Sequence, residues 1–188
     1  MLNHGLIFIK NIDLKTILSE QQLEITIKRL ARQVLENHVD LSGTVLIGLQ
    51  PRGIFLSDQI VDEIKKETPA ANIHYGKLDI TFYRDDIRKE LHIANRTDIP
   101  FSIEGKNVIL IDDVLYTGRT IRAALDALLD FGRPEKVELC VLIDRRFSRQ
   151  LPIQPDYIGK SIDAIVSQKV KVFWKNKDGK DEVCLVND

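Results

Sequence analysis

Cysteine is scarce in this 188-residue sequence, which contains only Cys140 and Cys184. The two lie too far apart for the paired spacing of a zinc or iron–sulfur site. Cys140 also falls within an apolar run, which favours a buried, unreactive thiol. The four histidines show no metal-ligand spacing either. The sequence therefore contains no motif for a metal site built from protein ligands.

The sequence also lacks long apolar runs and a large net charge. No run approaches the ~20 residues that cross a bilayer, and the apolar stretch at residues 6–9 is too short for a signal-peptide core. Twenty-seven Lys and Arg against 28 Asp and Glu leave a net charge of −1, so any nucleic-acid surface would have to be a local patch. We therefore expect a cytoplasmic protein with no membrane association, folded as one domain over residues 1–188.

Apolar runs typical of buried strands alternate with segments of helical spacing. This alternation predicts βαβ units, and hence an α/β fold with a mainly parallel sheet. The strand-like runs are residues 43–49, 108–111, 137–143, 162–165, 170–174 and, as a hairpin strand after a polar turn at 175–180, residues 182–186.

Helical spacing of apolar residues predicts helices over residues 17–37, 54–66 and 121–130. The first of these carries a recognisable start signal, because Gln22 follows Ser19 by three positions in a capping-box pattern. The helices fall between the strand-like runs, where the crossover connections of a parallel sheet are expected.

Residues 108–120 form the most informative stretch of the chain. An apolar strand delivers two adjacent carboxylates, Asp112 and Asp113, to its carboxyl end, and the small and hydroxylated residues 117–120 follow before the next helix. Open α/β sheets bind ligands at this edge, where N–H groups at a helix start hold anions. An aspartate at a strand end can also serve only as a turn former or helix cap. Two acids beside an anion site nevertheless predict a ligand with both a diol and a phosphate, such as a sugar phosphate.

The same stretch resembles the phosphoribosyl-pyrophosphate (PRPP) motif of type I phosphoribosyltransferases. Its wording, Asp-Asp-Val-Leu-Tyr-Thr-Gly-Arg-Thr, is similar to that of the PyrR family, pyrimidine operon attenuators that double as uracil phosphoribosyltransferases. The resemblance covers nearly the whole chain from about Leu14 onward. It implies a central, mainly parallel sheet flanked by helices, with a small hood formed mainly by residues 145–188 and a flexible loop at about residues 84–98.

The resemblance also implies roles for the residues of this motif. Asp112 and Asp113 would engage the ribose hydroxyls of PRPP and favour positive charge growing on the ring. The substrate-binding residues expected around the 5-phosphate are Val114, Leu115, Tyr116, Thr117, Gly118, Arg119 and Thr120.

Pro51, Arg52 and Gly53 form a second segment similar to the family's pattern, in the pyrophosphate-binding loop after the first core strand. Arg52 and Gly53 match that pattern. Pro51 stands where PyrR proteins commonly carry Thr, and a proline removes one N–H donor from the loop.

Residues 76–86 are similar to the PyrR strand that leads into the flexible catalytic loop. The charged stretch that follows has few apolar anchors, as a mobile lid requires. We expect Arg84 to act in catalysis. The candidates for transient pyrophosphate contact are Arg84, Arg88, Lys89 and Arg96.

A fourth similar segment begins at Asp144 and leads to the hood. By resemblance, Arg145 lies near the base or the pyrophosphate, and Val170 falls where the hood covers uracil. Mg²⁺ would arrive with PRPP rather than on a protein site, since it prefers oxygen ligands and retains waters.

A second family function is binding of a messenger-RNA leader in response to UMP. The candidate RNA contacts are Lys28, Arg29, Arg32, Arg149 and Lys160. Gln50, Gln154 and Asn37 stand where RNA-binding members carry basic residues, and each lost phosphate contact weakens binding. The basic side chains of the first helix can also be no more than its solvated face.

The leading interpretation is a uracil phosphoribosyltransferase that converts uracil and PRPP, with substrate-bound Mg²⁺, to UMP and pyrophosphate. One alternative is an RNA-binding attenuation protein whose transferase activity is weak or vestigial. Another is a transferase for a different base. The resemblance also implies a homodimer or a higher homo-oligomer.

Overall fold

A five-stranded sheet in which all neighbouring strands are parallel forms the centre of the fold. The computed structural model describes residues 14–84, 96–164 and 168–187. The strand order is β3-β2-β4-β5-β6, which gives the α/β architecture that the alternating sequence pattern predicts. The strands are β2 (Thr44–Leu49), β3 (His74–Leu78), β4 (Asn107–Leu115), β5 (Lys136–Arg145) and β6 (Tyr157–Ile162).

Three helices cover the two faces of this sheet. Helices α1 (Glu20–Asn37) and α2 (Gly53–Glu67) pack on one face of the sheet and share an apolar core with Leu46 of β2. Helix α3 (Arg119–Leu128) packs on the other face, in a second core with Val45 and Ile47, the residues on either side of Leu46. Successive side chains of a strand point to opposite faces. Strands covered on both sides therefore read as continuous apolar runs, which is why the core strands were visible in the sequence.

The start of α1 follows its predicted capping box. Ser19 Oγ accepts from Gln22 N at 3.4 Å, and Gln22 Oε1 accepts from Ser19 N at 3.0 Å. The predicted start at residue 17 was wrong, because Leu14–Leu18 form the strand β1. The apolar residues just before Ser19 belong to a sheet rather than to the helix.

A second sheet is antiparallel and shares an apolar core with the central sheet; we call it the hood. Its strands are β1, β7 (Gln168–Phe173) and β8 (Glu182–Asn187), in the order β1-β8-β7. The predicted C-terminal hairpin strand is confirmed, since β8 pairs with β7. The intervening polar turn contains the single helical turn α4 (Lys175–Asp178).

The C-terminal half differs from the sequence prediction in two places. Of the strand predicted at 162–165, residue 165 lies outside the described residues and only Ile162 belongs to a strand, the end of β6. The residues of β6 form a strand because they pair with β5. β6 belongs to the central sheet, whereas β1, from the other end of the chain, belongs to the hood. A hood formed mainly by residues 145–188 remains a prediction; the antiparallel sheet takes β7 and β8 from that range and β1 from residues 14–18.

Two further expectations concern the flexible loop and the membrane. Of the loop expected at residues 84–98, residues 85–95 lie outside the described residues. Its carboxyl-terminal end is joined to β3 by a bridge between Asp98 and Lys77. Within the described ranges, no helix has the length and apolarity that crossing a bilayer requires.

Candidate active site

The two predicted carboxylates lie at the carboxyl end of β4. Asp112 and Asp113 are 7% and 8% exposed, and Asp113 N donates to Asp112 Oδ1 at 2.9 Å. The turn after β2 packs directly against them, since a Cβ on Gly53 would lie 2.6 Å from the Ile111 carbonyl oxygen and 2.9 Å from Asp112 Cα. Only glycine allows the two segments to approach this closely.

Burial shifts the protonation of both acids in the same direction. Burial and the neighbouring Asp113 charge raise the pKa of Asp112 well above its usual range. Burial also raises the pKa of Asp113, although the positive charge and hydrogen bond of Arg52 oppose this rise. Burial thus disfavours the charged form of both acids, and such raised pKa values at the edge of a cavity are typical of functional sites.

Arg52 joins this acid pair to the hood. Its Nε donates to Asp113 Oδ2 at 3.2 Å, and its Nη2 donates to the Val172 carbonyl of β7. The same Nη2 lies 4.0 Å from Asp178 Oδ2 at the end of α4. The neighbouring Pro51 is exposed and follows a cis peptide bond. The predicted pyrophosphate loop thus lies beside the predicted ribose-binding acids.

The turn between β4 and α3 is the predicted 5-phosphate site. Gly118 caps α3 with a φ of 91°, a left-handed conformation that glycine adopts without steric cost. Arg119 N donates to Thr117 Oγ1 at 3.4 Å, and Arg122 N donates to the Gly118 carbonyl at 3.0 Å. Backbone N–H groups at such a helix start attract anions.

A cavity of 340 Å³ opens at this edge of the sheet. Asp113 does not line it, because its carboxylate faces Arg52. All lining residues except Ile121 and Gln150 belong to the predicted set; that they bind PRPP remains a prediction. The cavity is lined by Arg84, Asp112, Val114, Leu115, Tyr116, Thr117, Gly118, Arg119, Thr120, Ile121 and Gln150.

Comparison with known proteins agrees with this geometry. Residues 13–175 match the model of the phosphoribosyl transferase domain family. "Bifunctional protein PyrR" of Picosynechococcus sp. is 48% identical over 171 residues, which cover 90% of this chain and 96% of the relative. The protein of the same name from Halalkalibacterium halodurans is 43% identical over 175 residues, covering 91% and 96%. The chain belongs to the PyrR family.

A solved structure shows the same fold at much lower identity. The hypoxanthine phosphoribosyltransferase of Trypanosoma cruzi superimposes with a TM-score of 0.67 at 17% identity, over 92% of this chain and 96% of that one. Membership of the PyrR family confirms the predicted family and the type I phosphoribosyltransferase fold. The chain is therefore a phosphoribosyltransferase.

Two predicted base-side residues lie outside the cavity. Arg145, at the end of β5, is buried, and its guanidinium carbon lies 4.0 Å from the centre of the Tyr116 ring. Val170 is half-buried in β7, pairs with Leu185 and packs against the core shared by the hood and the central sheet. Arg88 and Lys89 lie outside the described residues.

The RNA contacts expected for the PyrR family are partly gathered on α1. Lys28, Arg29 and Arg32 line a depression of 540 Å³. Lys28 pairs with Glu24 at 2.6 Å, and Arg32 pairs with Glu67 at 2.8 Å. Exposed pairs of this kind are weak, so both cations remain able to meet a phosphate.

The other predicted RNA contacts make hydrogen bonds within the chain. Arg29 donates to the carbonyls of Ile158 and Gly159 at 3.2 and 2.5 Å, which fixes α1 against β6. Lys160 Nζ donates to the Ile17 carbonyl at 3.1 Å. These bonds give each side chain a structural role beside the RNA contact, which remains a prediction.

Besides Ile121, three residues near the site were not assigned to it from the sequence. Gln150 lines the cavity, Asp178 lies beside Arg52, and Arg149 donates to carbonyls behind the phosphate turn. Arg149 was singled out only as an RNA contact. None of the three lies in a recognisable motif, and only the folded chain brings each of them to the site.

Proposed function

We propose that this chain transfers the 5-phosphoribosyl group of PRPP to N1 of uracil, giving UMP and pyrophosphate. The observation that carries the proposal is one cavity that contains both the Asp112 carboxylate and the phosphate turn at residues 117–120. A sugar phosphate carries both hydroxyls and a phosphate, the two groups that a carboxylate and a helix-start turn can bind. The PyrR relationship supports uracil as the base.

The chemistry requires positioning and charge stabilisation rather than a covalent nucleophile. Uracil N1 forms its bond to the anomeric carbon as the bond from that carbon to the pyrophosphate oxygen breaks, and the N1 proton passes to the departing pyrophosphate or to solvent. Positive charge therefore grows on the ribose ring. Asp112 and Asp113 stabilise that charge and accept hydrogen bonds from the ribose hydroxyls. In this proposal Arg52, which pairs with Asp113 at 3.2 Å, compensates the charge of the departing pyrophosphate.

Mg²⁺ enters this proposal as part of the substrate, bound by the pyrophosphate and ribose oxygens of PRPP. The oxygen-only chemistry of the acid pair fits a Mg²⁺–PRPP complex. Over residues 14–84, 96–164 and 168–187, no group of three or more His, Cys, Asp or Glu is arranged to hold a metal ion. The carboxylates would therefore meet the ion through the substrate it accompanies.

The direct test is pyrophosphate release from Mg²⁺–PRPP with and without uracil. We expect uracil-dependent release, and a loss of about 100- to 1,000-fold in Asp113→Asn, since the variant removes a charge that acts in the transition state. Asp126→Asn is the matched control, because Asp126 is exposed on α3 and pairs with the exposed Arg122 at 3.5 Å. Uracil-independent release in both variants would contradict the proposal.

The choice of base needs its own experiment. Uracil, orotate, xanthine and guanine are offered together at equal concentration with limiting Mg²⁺–PRPP, and the nucleotide products are separated. UMP as the main product supports the proposal, whereas a purine nucleotide or orotidylate would support a transferase for another base.

We also propose that the α1 surface binds RNA in response to UMP. The observation in favour is the depression lined by Lys28, Arg29 and Arg32. Cations in one concave surface can follow a phosphate backbone although the net charge of the chain is close to zero. The chain would then combine an enzyme site at the sheet edge with a separate regulatory surface.

A salt titration tests this second function. A pyrimidine leader RNA is titrated with and without UMP, using wild type, a double variant Lys28→Gln, Arg32→Gln, and a control double variant Lys171→Gln, Lys180→Gln in the hood. We expect the first variant to bind more weakly and to lower the slope of log affinity against log salt by about 2. An equal effect of both variants would indicate nonspecific attraction.

A further inference from the structure

The segment that follows β5 runs directly behind the phosphate turn. Gln150 N donates to the Thr117 carbonyl at 3.0 Å, and Gln150 Oε1 accepts from Arg119 Nε at 2.8 Å. A Cβ on Gly118 would lie 3.2 Å from Ile153 Cδ1. The turn is thus supported along its length by a segment distant in sequence.

Arg149 provides the densest part of this support. Its Nη1 donates to the Tyr116 carbonyl at 2.6 Å and to the carbonyls of Leu115 and Arg145 at 3.3 Å each. Its Nη2 donates to the Asp144 carboxylate. The rigid fork of a guanidinium can serve several acceptors at once, which a lysine ammonium cannot reproduce in the same geometry.

The remaining nitrogen is engaged as well. Arg149 Nε donates to the Ile153 carbonyl at 2.9 Å, and the side chain is only 22% exposed. All three guanidinium nitrogens therefore have acceptors within the chain. The arrangement directs the charge of Arg149 at the phosphate turn and at Asp144 rather than outward.

By fixing the carbonyls of Leu115 and Tyr116, Arg149 also fixes the backbone N–H groups of the residues that follow them. In a trans peptide the C=O and the next N–H point in opposite directions. With the Leu115 and Tyr116 carbonyls turned toward Arg149, the N–H groups of Tyr116 and Thr117 point away from it. The Tyr116 ring is held separately by Arg145.

We propose that Arg149 is a positioning residue for PRPP: by holding the carbonyls of Leu115 and Tyr116, it keeps the phosphate turn in the conformation that binds the 5-phosphate. This inference rests on the proposed phosphoribosyl transfer. It assigns Arg149 to the enzyme site instead of the RNA surface.

The test uses Arg149→Lys and Arg149→Gln in the full chain. The lysine variant keeps a cation beside the buried Asp144, which guards against a simple folding failure, but loses the fork. We expect the KM for PRPP to rise about tenfold in Arg149→Lys and further in Arg149→Gln, with a much smaller change in the KM for uracil. Loss of such hydrogen bonds acts on ground state and transition state alike, so kcat changes little.

Nucleotide binding gives a readout that overall destabilisation would not reproduce. Titration of UMP and of uridine separates the phosphate from the rest of the nucleotide, and we expect both variants to weaken UMP binding while uridine binding is unchanged. Arg146→Gln is the matched control, since Arg146 is exposed and pairs with Asp163 at 2.8 Å. It should leave both affinities and the KM for PRPP as in wild type.

Other outcomes overturn the inference, the proposed transfer or both. If the Arg149 variants lose UMP and uridine binding equally, the role of Arg149 is purely structural. If they bind UMP as tightly as wild type but bind RNA more weakly, Arg149 belongs to the RNA surface. If the wild type binds UMP but releases no pyrophosphate with uracil, only the proposed transfer fails, and the comparison of UMP with uridine still decides the role of Arg149. A wild type that binds neither PRPP nor UMP overturns both proposals.

Discussion

Arg52 Nε lies 3.2 Å from Asp113 Oδ2 and so joins the turn after β2 to the carboxyl end of β4. This contact gives the two acids different surroundings. Asp113 has a cation beside it, whereas Asp112 faces the cavity beside a second carboxylate. Arg52 lowers the pKa of both acids, but of the two only Asp113 also accepts a hydrogen bond from it.

The acidic limb of the pH profile should report this pair. Burial raises the pKa of both acids, so activity that needs both carboxylates ionised should fall as pH decreases through these raised values. We expect kcat/KM, which reports the pKa values of the free enzyme, to decline with a midpoint above the pKa of an ordinary aspartate.

Arg52→Gln should move that limb to higher pH still, because Arg52 lowers the pKa of Asp113. The rate of Arg52→Gln will also be lower, but the pH midpoint of the limb does not depend on the absolute rate. Arg122→Gln on the exposed face of α3 serves as the control, and a midpoint that is the same in both variants would show that Arg52 does not set the protonation of the pair.

Asp112→Asn should stabilise the fold while it removes transfer activity. The folded pKa of Asp112 is raised, so ionisation favours the unfolded chain, and stability is lost as pH rises from the unfolded to the folded pKa. At neutral pH the amide avoids that cost and still offers Oδ1 to Asp113 N. We expect the free energy of unfolding to rise by about 1 kcal/mol or more.

Urea unfolding at neutral and at acidic pH measures this effect. The gain over wild type should shrink at low pH, where Asp112 is protonated in both states. The exposed variant Asp126→Asn should show no such gain. A destabilised Asp112→Asn at neutral pH would mean that the carboxylate contributes to folding.

Gly118→Ala should damage both stability and PRPP binding. At φ 91° an alanine costs about 1–2 kcal/mol, and its Cβ meets Ile153 at 3.2 Å. Gly179→Ala is the matched control, since Gly179 has a φ of 78° with open space around it. Both variants should lower the melting temperature, but only Gly118→Ala should raise the KM for PRPP.

Glu138 should stabilise the chain in a pH-dependent way. Burial opposes its ionisation, but hydrogen bonds from Lys136, His38 and Tyr157 outweigh this and lower its pKa to about 2. Its contribution is present above the unfolded pKa and is lost as pH falls toward about 2. Glu138→Gln should therefore destabilise the chain at neutral pH by about 2–3 kcal/mol.

Unfolding measured from neutral pH down to pH 2 checks this prediction. The difference between wild type and Glu138→Gln should narrow as the pH falls. Glu135→Gln, at an exposed position three residues earlier, should match wild type throughout. A difference that does not depend on pH would indicate lost packing rather than a lost charge.

Local patterns in the sequence predicted much of the fold and of the candidate site. The capping box of Ser19 and Gln22 depends on residues three positions apart, and β4 is recognisable because it is covered on both faces. The acid pair and Gly118 also form one continuous stretch, so their proximity follows from the chain itself.

The order of the main elements, the family and the position of the acid pair and phosphate turn at a sheet edge thus follow from the amino-acid sequence. Which distant segments meet at that edge depends on how the chain folds. β1 pairs with β8 across almost the whole chain, Arg52 reaches Val172, and Arg149 reaches Tyr116. Such contacts depend on chain topology and packing, which no local spacing of residue types encodes.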